Sequence, residues 1–251
     1  EAPPAKPRQQ STTAQPAIAP TKSVPVPQGI PGELVQLSNM RRSIAQHMVE
    51  SKLQTAPHVT TVMEADLTAV SEHRAQNKDA FVKQGVKLTF TPYFVMAVAR
   101  ALQAVPELGA RWTDEGVFVH HVQHIGMAVA IEDGLIVPVI KNAGDYNLLG
   151  LARQVNDLAE RARNRQLPPD GVRDGTFTIS NHGVSGSIFA TPIINQPQSA
   201  ILGVGMIEKR VKVIDDAIAI RACAYLSLTF DHRVADGANA DAFLMTIKQT
   251  L

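Results

Sequence analysis

The chain has 251 residues, 45% of them apolar and 19% charged, with a formal net charge of +1 and a single cysteine. One cysteine excludes an internal disulfide framework, and a near-neutral charge gives no broad electrostatic footprint for nucleic acid. No apolar run approaches the roughly 20 residues that cross a bilayer, and the N-terminus lacks the basic start and apolar core of a secretory signal.

Eight of the 16 prolines fall in residues 1–31, whose only charges are Glu1, Lys6, Arg8 and Lys22. Proline at that density favours extended polyproline II, and few large apolar side chains are there to offset the ordering entropy. Residues 1–31 read as a flexible spacer to another module or as a frayed terminus, and residues 32–251 as one globular domain. The absence of an initiator Met reads as a fragment or a processed chain.

From Ser38, Met40, Ile44 and Met48 recur at four-residue spacing, which predicts an amphipathic helix that Pro57 ends. Val59, Thr61, Met63 and Ala65 alternate with His58, Thr60, Val62 and Glu64, a strand pattern. Asp66 can cap a helix to about Lys83, and Thr91-Pro92 opens a buried helix over 93–105. Residues 116–140, rich in Val and Ile and broken by Asp133-Gly134, predict a long hairpin. An amphipathic helix over 148–165, a turn at 168–171 and a short strand at 176–180 follow. Residues 200–213 and 217–231 form a second long hairpin about Asp215-Asp216, and a helix from about Ala238 closes the chain. Helices interspersed with mostly antiparallel hairpins argue for an α+β fold.

The strongest local constellation is Asp231-His232-Arg233-Val234-Ala235-Asp236-Gly237, a polar loop between a strand and a helix. His232 suits general acid–base work because its ordinary pKa lies near neutrality, and Asp236 could orient the loop. The same residues also suit an Asp N-cap beside a surface histidine. A second candidate runs from Thr178 to Ser187, where Ser180, Asn181 and Gly183 offer a hydroxyl, an amide and free main chain to an oxyanion or phosphate, or simply make a turn. His120, His121 and His124 invite a metal reading, but on a strand the first two face opposite sides and no cysteine or paired carboxylate is near, so no metal site is expected. Cys223 sits mid-strand among small and apolar residues and reads as packing.

Asp231-His232-Arg233-Val234-Ala235-Asp236-Gly237-Ala238 resembles the signature of the dihydrolipoamide acyltransferases, the core components of 2-oxoacid dehydrogenase complexes. Four further stretches agree in order: Met40-Arg41-Arg42-Ser43-Ile44-Ala45, the run from Ile125 through Asp133-Gly134 to Ile140, Gly175-Thr176-Phe177-Thr178-Ile179-Ser180-Asn181, and Pro192-Ile193-Ile194-Asn195 through Ala200-Ile201-Leu202-Gly203. The resemblance covers about residues 33–251. It implies a chloramphenicol-acetyltransferase-like fold, a mixed sheet with helices on one face, in a homotrimer whose sites lie between subunits. His232 of one subunit, the general base, would face Ser180 of its neighbour, the oxyanion donor. Asp236 would hold the loop, with Arg41 as its arginine partner, and Asn181 and Gly183 would contact coenzyme A.

By the same resemblance the reaction moves an acyl group between coenzyme A and a dihydrolipoyl arm, an exchange close to energy-neutral that needs neither metal nor ATP. The lipoyl group would ride on an upstream domain tethered by residues 1–31. The dehydrogenase and dihydrolipoamide dehydrogenase components would be partners, with no role for nucleic acid or membrane. Such a chain would work in the cytoplasm of a bacterium or archaeon, or in the mitochondrial matrix of a eukaryote. The family usually continues past the final helix, so the stop at Gln249-Thr250-Leu251 leaves a closed core of about 24 subunits or more open. Acyl class stays open too: residues 192–199 lean towards succinyl-transferring members, whereas Ala238 and Pro57-His58 lean towards acetyl or branched-chain ones. The rival functions are a non-catalytic scaffold paralogue and a free-standing acetyltransferase for a small molecule.

Overall fold

The structure, a computed structural model, describes residues 31–132 and 134–251. The expected spacer up to residue 30, and Asp133 of the expected Asp133-Gly134 turn, lie outside the described residues. Residues 31–37 carry no helix or strand, and a compact unit runs from Ser38 to Leu251. Ser38 accepts the Arg41 backbone N–H at 3.1 Å, which gives helix α1 (Asn39–Val49) a capped start. A π-helical stretch, Glu50–Thr55, prolongs it until Ala56 turns extended ahead of Pro57.

Strand β1 (His58–Asp66) follows. The Asp66 carboxylate accepts the N–H and the hydroxyl of Thr68 at 2.9 and 2.6 Å, starting α2 (Thr68–Val82). Helix α3 (Thr91–Ala104), with Pro92 in its first turn, is the most buried helix. A small hairpin, β2 (Arg111–Thr113) and β3 (Gly116–Phe118), comes next.

The long hairpin expected over 116–140 is divided. Strands β4 (Ile125–Met127) and β7 (Val139–Ile140) pair inside the main sheet, while β5 (Val129–Ile131) and β6 (Gly134–Ile136) pair as a separate ribbon. Pro138, with no N–H to give, marks the break, and its carbonyl takes the Met127 N–H at 2.9 Å. Helix α4 (Leu148–Arg163) is capped by Asn147 and buries Leu151, Val155 and Leu158. Strands β8 (Phe177–Asn181), β9 (Ala200–Val204), β10 (Glu208–Ile214) and β11 (Ala217–Asp231), then helix α5 (Gly237–Thr250), complete the chain. Asp215 and Asp216, at φ of 48° and 61°, make the two-residue turn between β10 and β11.

The main sheet has seven strands in the order β1-β11-β9-β8-β4-β7, with β10 also on β11. Strand β8 runs parallel to β4 and β9, and the other pairings are antiparallel, so the sheet is mixed and the fold is α+β. Register sorts the residues into two faces, since successive side chains alternate. Met127, Ile179, Leu202 and Leu228 align across β4, β8, β9 and β11. With Phe177 and Phe230 they pack against apolar residues of α3, α4 and α5, and the Phe177 and Phe243 rings lie 5.3 Å apart. The opposite face carries two polar rows: Thr178, Ile201, Thr229 and Thr60, then Ser180, Gly203, Ser227 and Val62. Helices on one face and hydroxyls on the other set the stage for the site.

Candidate functional site

Strand β11 delivers Asp231, buried at 3% exposure, to the start of the polar loop. Its N–H donates to the Ser199 carbonyl at 2.8 Å. Its carboxylate accepts from Arg233: the backbone N–H and Nε at 3.0 Å each on Oδ1, and Nη2 at 2.7 Å on Oδ2. These bonds hold the guanidinium further above its ordinary pKa, against the opposing effect of burial. The same guanidinium lies over the Trp112 ring, 4.8 Å from its centroid. The N–H of His232 donates to the Pro57 carbonyl at 3.1 Å, and the N–H groups of Val234 and Ala235 donate to the Asp231 carbonyl. The loop is fastened at every step. The His232 imidazole is the exception: it is exposed, stacks on Phe230 at 5.8 Å and 30°, and makes no hydrogen bond among the described residues.

Asp236 caps α5. Its carboxylate accepts the Asn239 N–H at 3.1 Å, and the Asn239 side chain accepts the Asp236 N–H at 3.1 Å, a reciprocal capping box. Arg41 is not its partner within the chain: it is exposed on α1, with its guanidinium beside Gly134.

Ser180, near the end of β8, has a hydroxyl with no hydrogen bond among the described residues. Its register partner is Gly203, and Gly203 in turn faces Ser227. A Cβ at Gly203 would collide with the Ser227 hydroxyl and crowd His182 Nε2 at 3.2 Å, so the space above this glycine is already filled by those two side chains. His182 sits over that glycine with both ring nitrogens buried and no well-formed hydrogen bond among the described residues, and burial pushes its pKa down, with the Ser187 main chain opposing. Asn181 ends β8, and Gly183 follows where a Cβ would run into the Gly205 main chain. Close packing accounts for that glycine.

Ser227, on β11, precedes His232 in the following loop by five residues, a run of about 17 Å at strand rise, and Ser180 lies two strands further over. One chain therefore does not bring Ser180 and His232 together. His58, read in the sequence as part of a strand pattern and, beside Pro57, as a lean in acyl class, proves to be a support. Its Nδ1–H donates to the Ala56 carbonyl at 2.8 Å, while Nε2 accepts the Ile194 N–H at 3.1 Å, which fixes the neutral ring. Burial lowers its pKa, with the Ala56 bond opposing. It pairs with Asp231 across β1 and β11. No local pattern could reveal a partner so far along the chain. Cys223 is buried and its thiol is pushed up by that burial. No three His, Cys, Asp or Glu residues among the described residues are grouped to hold a metal ion, and no described helix is long and apolar enough to cross a membrane.

The family model for the 2-oxoacid dehydrogenases acyltransferase (catalytic domain) matches residues 31–251. A dihydrolipoyllysine-residue acetyltransferase component of the pyruvate dehydrogenase complex from Mycobacterium bovis is 43% identical over 224 residues, 86% of this chain and 40% of the relative. A succinyltransferase component of the 2-oxoglutarate dehydrogenase complex from Rickettsia bellii is 40% identical over 220 residues, 87% of this chain and 55% of the relative. The chain thus spans about half the length of these curated relatives.

Among solved structures, the dihydrolipoamide acetyltransferase of Azotobacter vinelandii is 35% identical with a TM-score of 0.87, over 92% of this chain and 96% of that one. The cubic core of a pyruvate dehydrogenase multienzyme complex matches with the same values. In the Azotobacter enzyme a serine, a histidine and an asparagine have been investigated for their role in catalysis; the serine precedes the histidine by 52 positions and the asparagine follows it by four, the separations of Ser180, His232 and Asp236 here. A chloramphenicol acetyltransferase, 17% identical with a TM-score of 0.54 over 78% of this chain and 89% of that one, shares the fold. On the match of the family model and the identity to these relatives, the chain belongs to the family of 2-oxoacid dehydrogenase acyltransferase catalytic domains.

Proposed function

We propose that this domain exchanges an acyl group between the dihydrolipoyl arm of a lipoyl domain and coenzyme A, and forms the oligomeric core of a 2-oxoacid dehydrogenase complex. The observation that carries the reading is the His232 loop: its main chain and flanking side chains are fastened to Pro57, Ser199, Asp231 and Trp112, and its imidazole alone is left exposed and unpartnered among the described residues. An ordered loop around one exposed titratable ring is how a scaffold presents a proton acceptor in fixed geometry. The matching separations in the Azotobacter enzyme support the same three residues.

His232 takes the proton of the attacking thiol, because a thiol of pKa about 8.5 is mostly protonated at neutral pH and only the thiolate is a strong nucleophile. As the new C–S bond forms, the Ser180 hydroxyl donates to the carbonyl oxygen that becomes an oxyanion, a single donor worth about 3 kcal/mol. When the old C–S bond breaks, His232 returns its proton to the leaving sulfur. No electron is gained or lost. Asp236 keeps α5 and the loop in place from its cap position. Asn181 and Gly183 are the proposed contacts to coenzyme A.

Because Ser180 and His232 are far apart in one chain, they act on one carbonyl only when two subunits share a site. The assembly we propose is a homotrimer, with His232 of each subunit facing Ser180 of the next, and trimers building a larger closed core. Residues 1–31 would tether a lipoyl domain, and the dehydrogenase and dihydrolipoamide dehydrogenase components would dock on the complex. Relatives of nearly equal identity carry acetyl and succinyl groups, so an acyl-CoA panel (acetyl, succinyl, isobutyryl, isovaleryl) decides the acyl class. The function itself is tested with His232→Ala: transfer from acyl-CoA to dihydrolipoamide should fall by about 10³-fold or more while the oligomer persists. A loss of only a few-fold contradicts it.

A further inference from the structure

A second polar cluster lies beside the His232 loop, away from Ser180. His124 and Thr176 lead into β4 and β8 and lock each other: the Thr176 N–H donates to the His124 carbonyl at 2.7 Å, and the His124 N–H donates to Thr176 Oγ1 at 3.1 Å. His124 Nδ1 accepts the Asn142 N–H at 3.0 Å, so the proton of the neutral ring sits on Nε2. Gln198 is oriented as firmly. Its Oε1 accepts the Thr178 hydroxyl at 2.6 Å, which leaves its NH₂ group without a partner among the described residues. Gly175 makes room for that amide, since a Cβ there would stand 2.8 Å from Gln198 Nε2.

These groups, with Arg111 and His120, line a cavity of about 290 Å³. It is rich in donors. Arg111 has no ion pair and His120 no hydrogen bond among the described residues, and the one lining carboxylate, Asp174, already faces Lys141 Nζ at 3.5 Å. Burial lowers the pKa of both histidines; Arg111 lowers His120 further and Lys141 lowers His124, with Asp174 opposing at His124. A cationic guanidinium, two histidines and an amide thus converge, and the one carboxylate among them, Asp174, is 80% exposed and faces Lys141. The walls also connect to the loop: Gln198 precedes Ser199, which takes the Asp231 N–H, and Arg111 precedes Trp112, on which Arg233 stacks.

We propose that this cavity is an anion subsite that takes a phosphate group, with Arg111 supplying charge and Gln198, His124 and His120 supplying hydrogen bonds. Arg is suited to this role because its planar guanidinium matches phosphate oxygens two at a time. The volume is ample for a phosphate group and lies at the lower edge of the range for small-ligand pockets, so the donor-rich lining rather than the size selects the anion. Two sources share that chemistry: a phosphate of coenzyme A, which rests on the function proposed above, and free inorganic phosphate, which does not.

Calorimetric titration of the full chain with inorganic phosphate and with adenosine 3′,5′-bisphosphate tests the subsite directly. Saturable binding is expected, and Arg111→Gln should weaken it about ten-fold. His232→Ala should keep the phosphate binding, so failure of the catalytic reading is seen separately. An Arg111→Gln protein whose KM for coenzyme A rises about five-fold or more assigns the subsite to the coenzyme. If phosphate weakens but that KM does not move, the coenzyme source is overturned and a free-anion subsite remains. No saturable binding, or binding that Arg111→Gln leaves intact, overturns the subsite.

Discussion

Arg233 returns its guanidinium to the carboxylate of Asp231, and the residue enclosed by that ion pair is His232. The bond spans two residues, so it closes a tight turn and fixes the direction in which the intervening side chain leaves the main chain. Asp231 is buried and the Arg233 side chain is 31% exposed, which places the pair between surface and interior. Asp231→Asn should cost about 2 kcal/mol, less than a fully buried pair because solvent screens the arginine. Turnover should drop by about ten-fold or more as His232 loses its fixed direction. Denaturant titration and steady-state rates check both; wild-type turnover in this variant would mean that the turn stands without the pair.

Asp236 offers a sharper separation of roles. As an N-cap, its carboxylate is replaceable by an amide, because asparagine caps as well as aspartate. Asp236→Asn should therefore keep melting temperature and turnover, whereas Asp236→Ala should lose about 1 kcal/mol and about 2–4 °C. Loss of turnover in Asp236→Asn at unchanged melting temperature would show that the charge acts beyond the cap.

Ser180 carries no structural bond among the described residues, so Ser180→Ala should leave stability within about 0.5 kcal/mol of wild type. In the proposed mechanism its turnover falls by about 10²-fold with little change in coenzyme affinity. The neighbouring Gly203→Ala should behave oppositely. Its Cβ would strike the Ser227 hydroxyl and crowd His182, so stability should fall by about 1–3 kcal/mol. An unchanged rate in Ser180→Ala would remove that hydroxyl from the site.

Stability should decline on the acid side of neutrality. Burial holds His58, His120, His124 and His182 below their ordinary value of 6.5. Above that value each is neutral in both states and contributes nothing. As pH falls through 6.5 the unfolded chain takes up protons before the folded one does, so stability is lost until the pH passes below the folded values. Melting temperature should drop between about pH 7 and 5, and His182→Leu should make the slope shallower. A melting temperature that rises over this range contradicts the assignment.

The elements were legible where the period is regular. The two-residue alternation of His58–Asp66, the apolar residues of α4 and the Asp215-Asp216 turn each carry their geometry in neighbouring residues. The stretch over 116–140 misleads because a run of Val and Ile looks the same whether it makes one ribbon or two, and Pro138 decides the matter. In the same way the His232 loop is visible as a polar run between strand and helix, but its fastenings are not. Pro57, Ser199 and Trp112 reach it from distant parts of the chain, and His58 and His182 come into view only when the strands are in register.

The central claim is that each active site takes His232 from one subunit and Ser180 from another. Coexpressing Ser180→Ala with His232→Ala and measuring acyl transfer by the mixed oligomers tests it most directly. Shared sites predict that two weak parents recover roughly a quarter of wild-type activity, since random assembly of a closed ring pairs an intact serine with an intact histidine at some interfaces. Mixed oligomers no more active than the average of their parents would contradict the shared site.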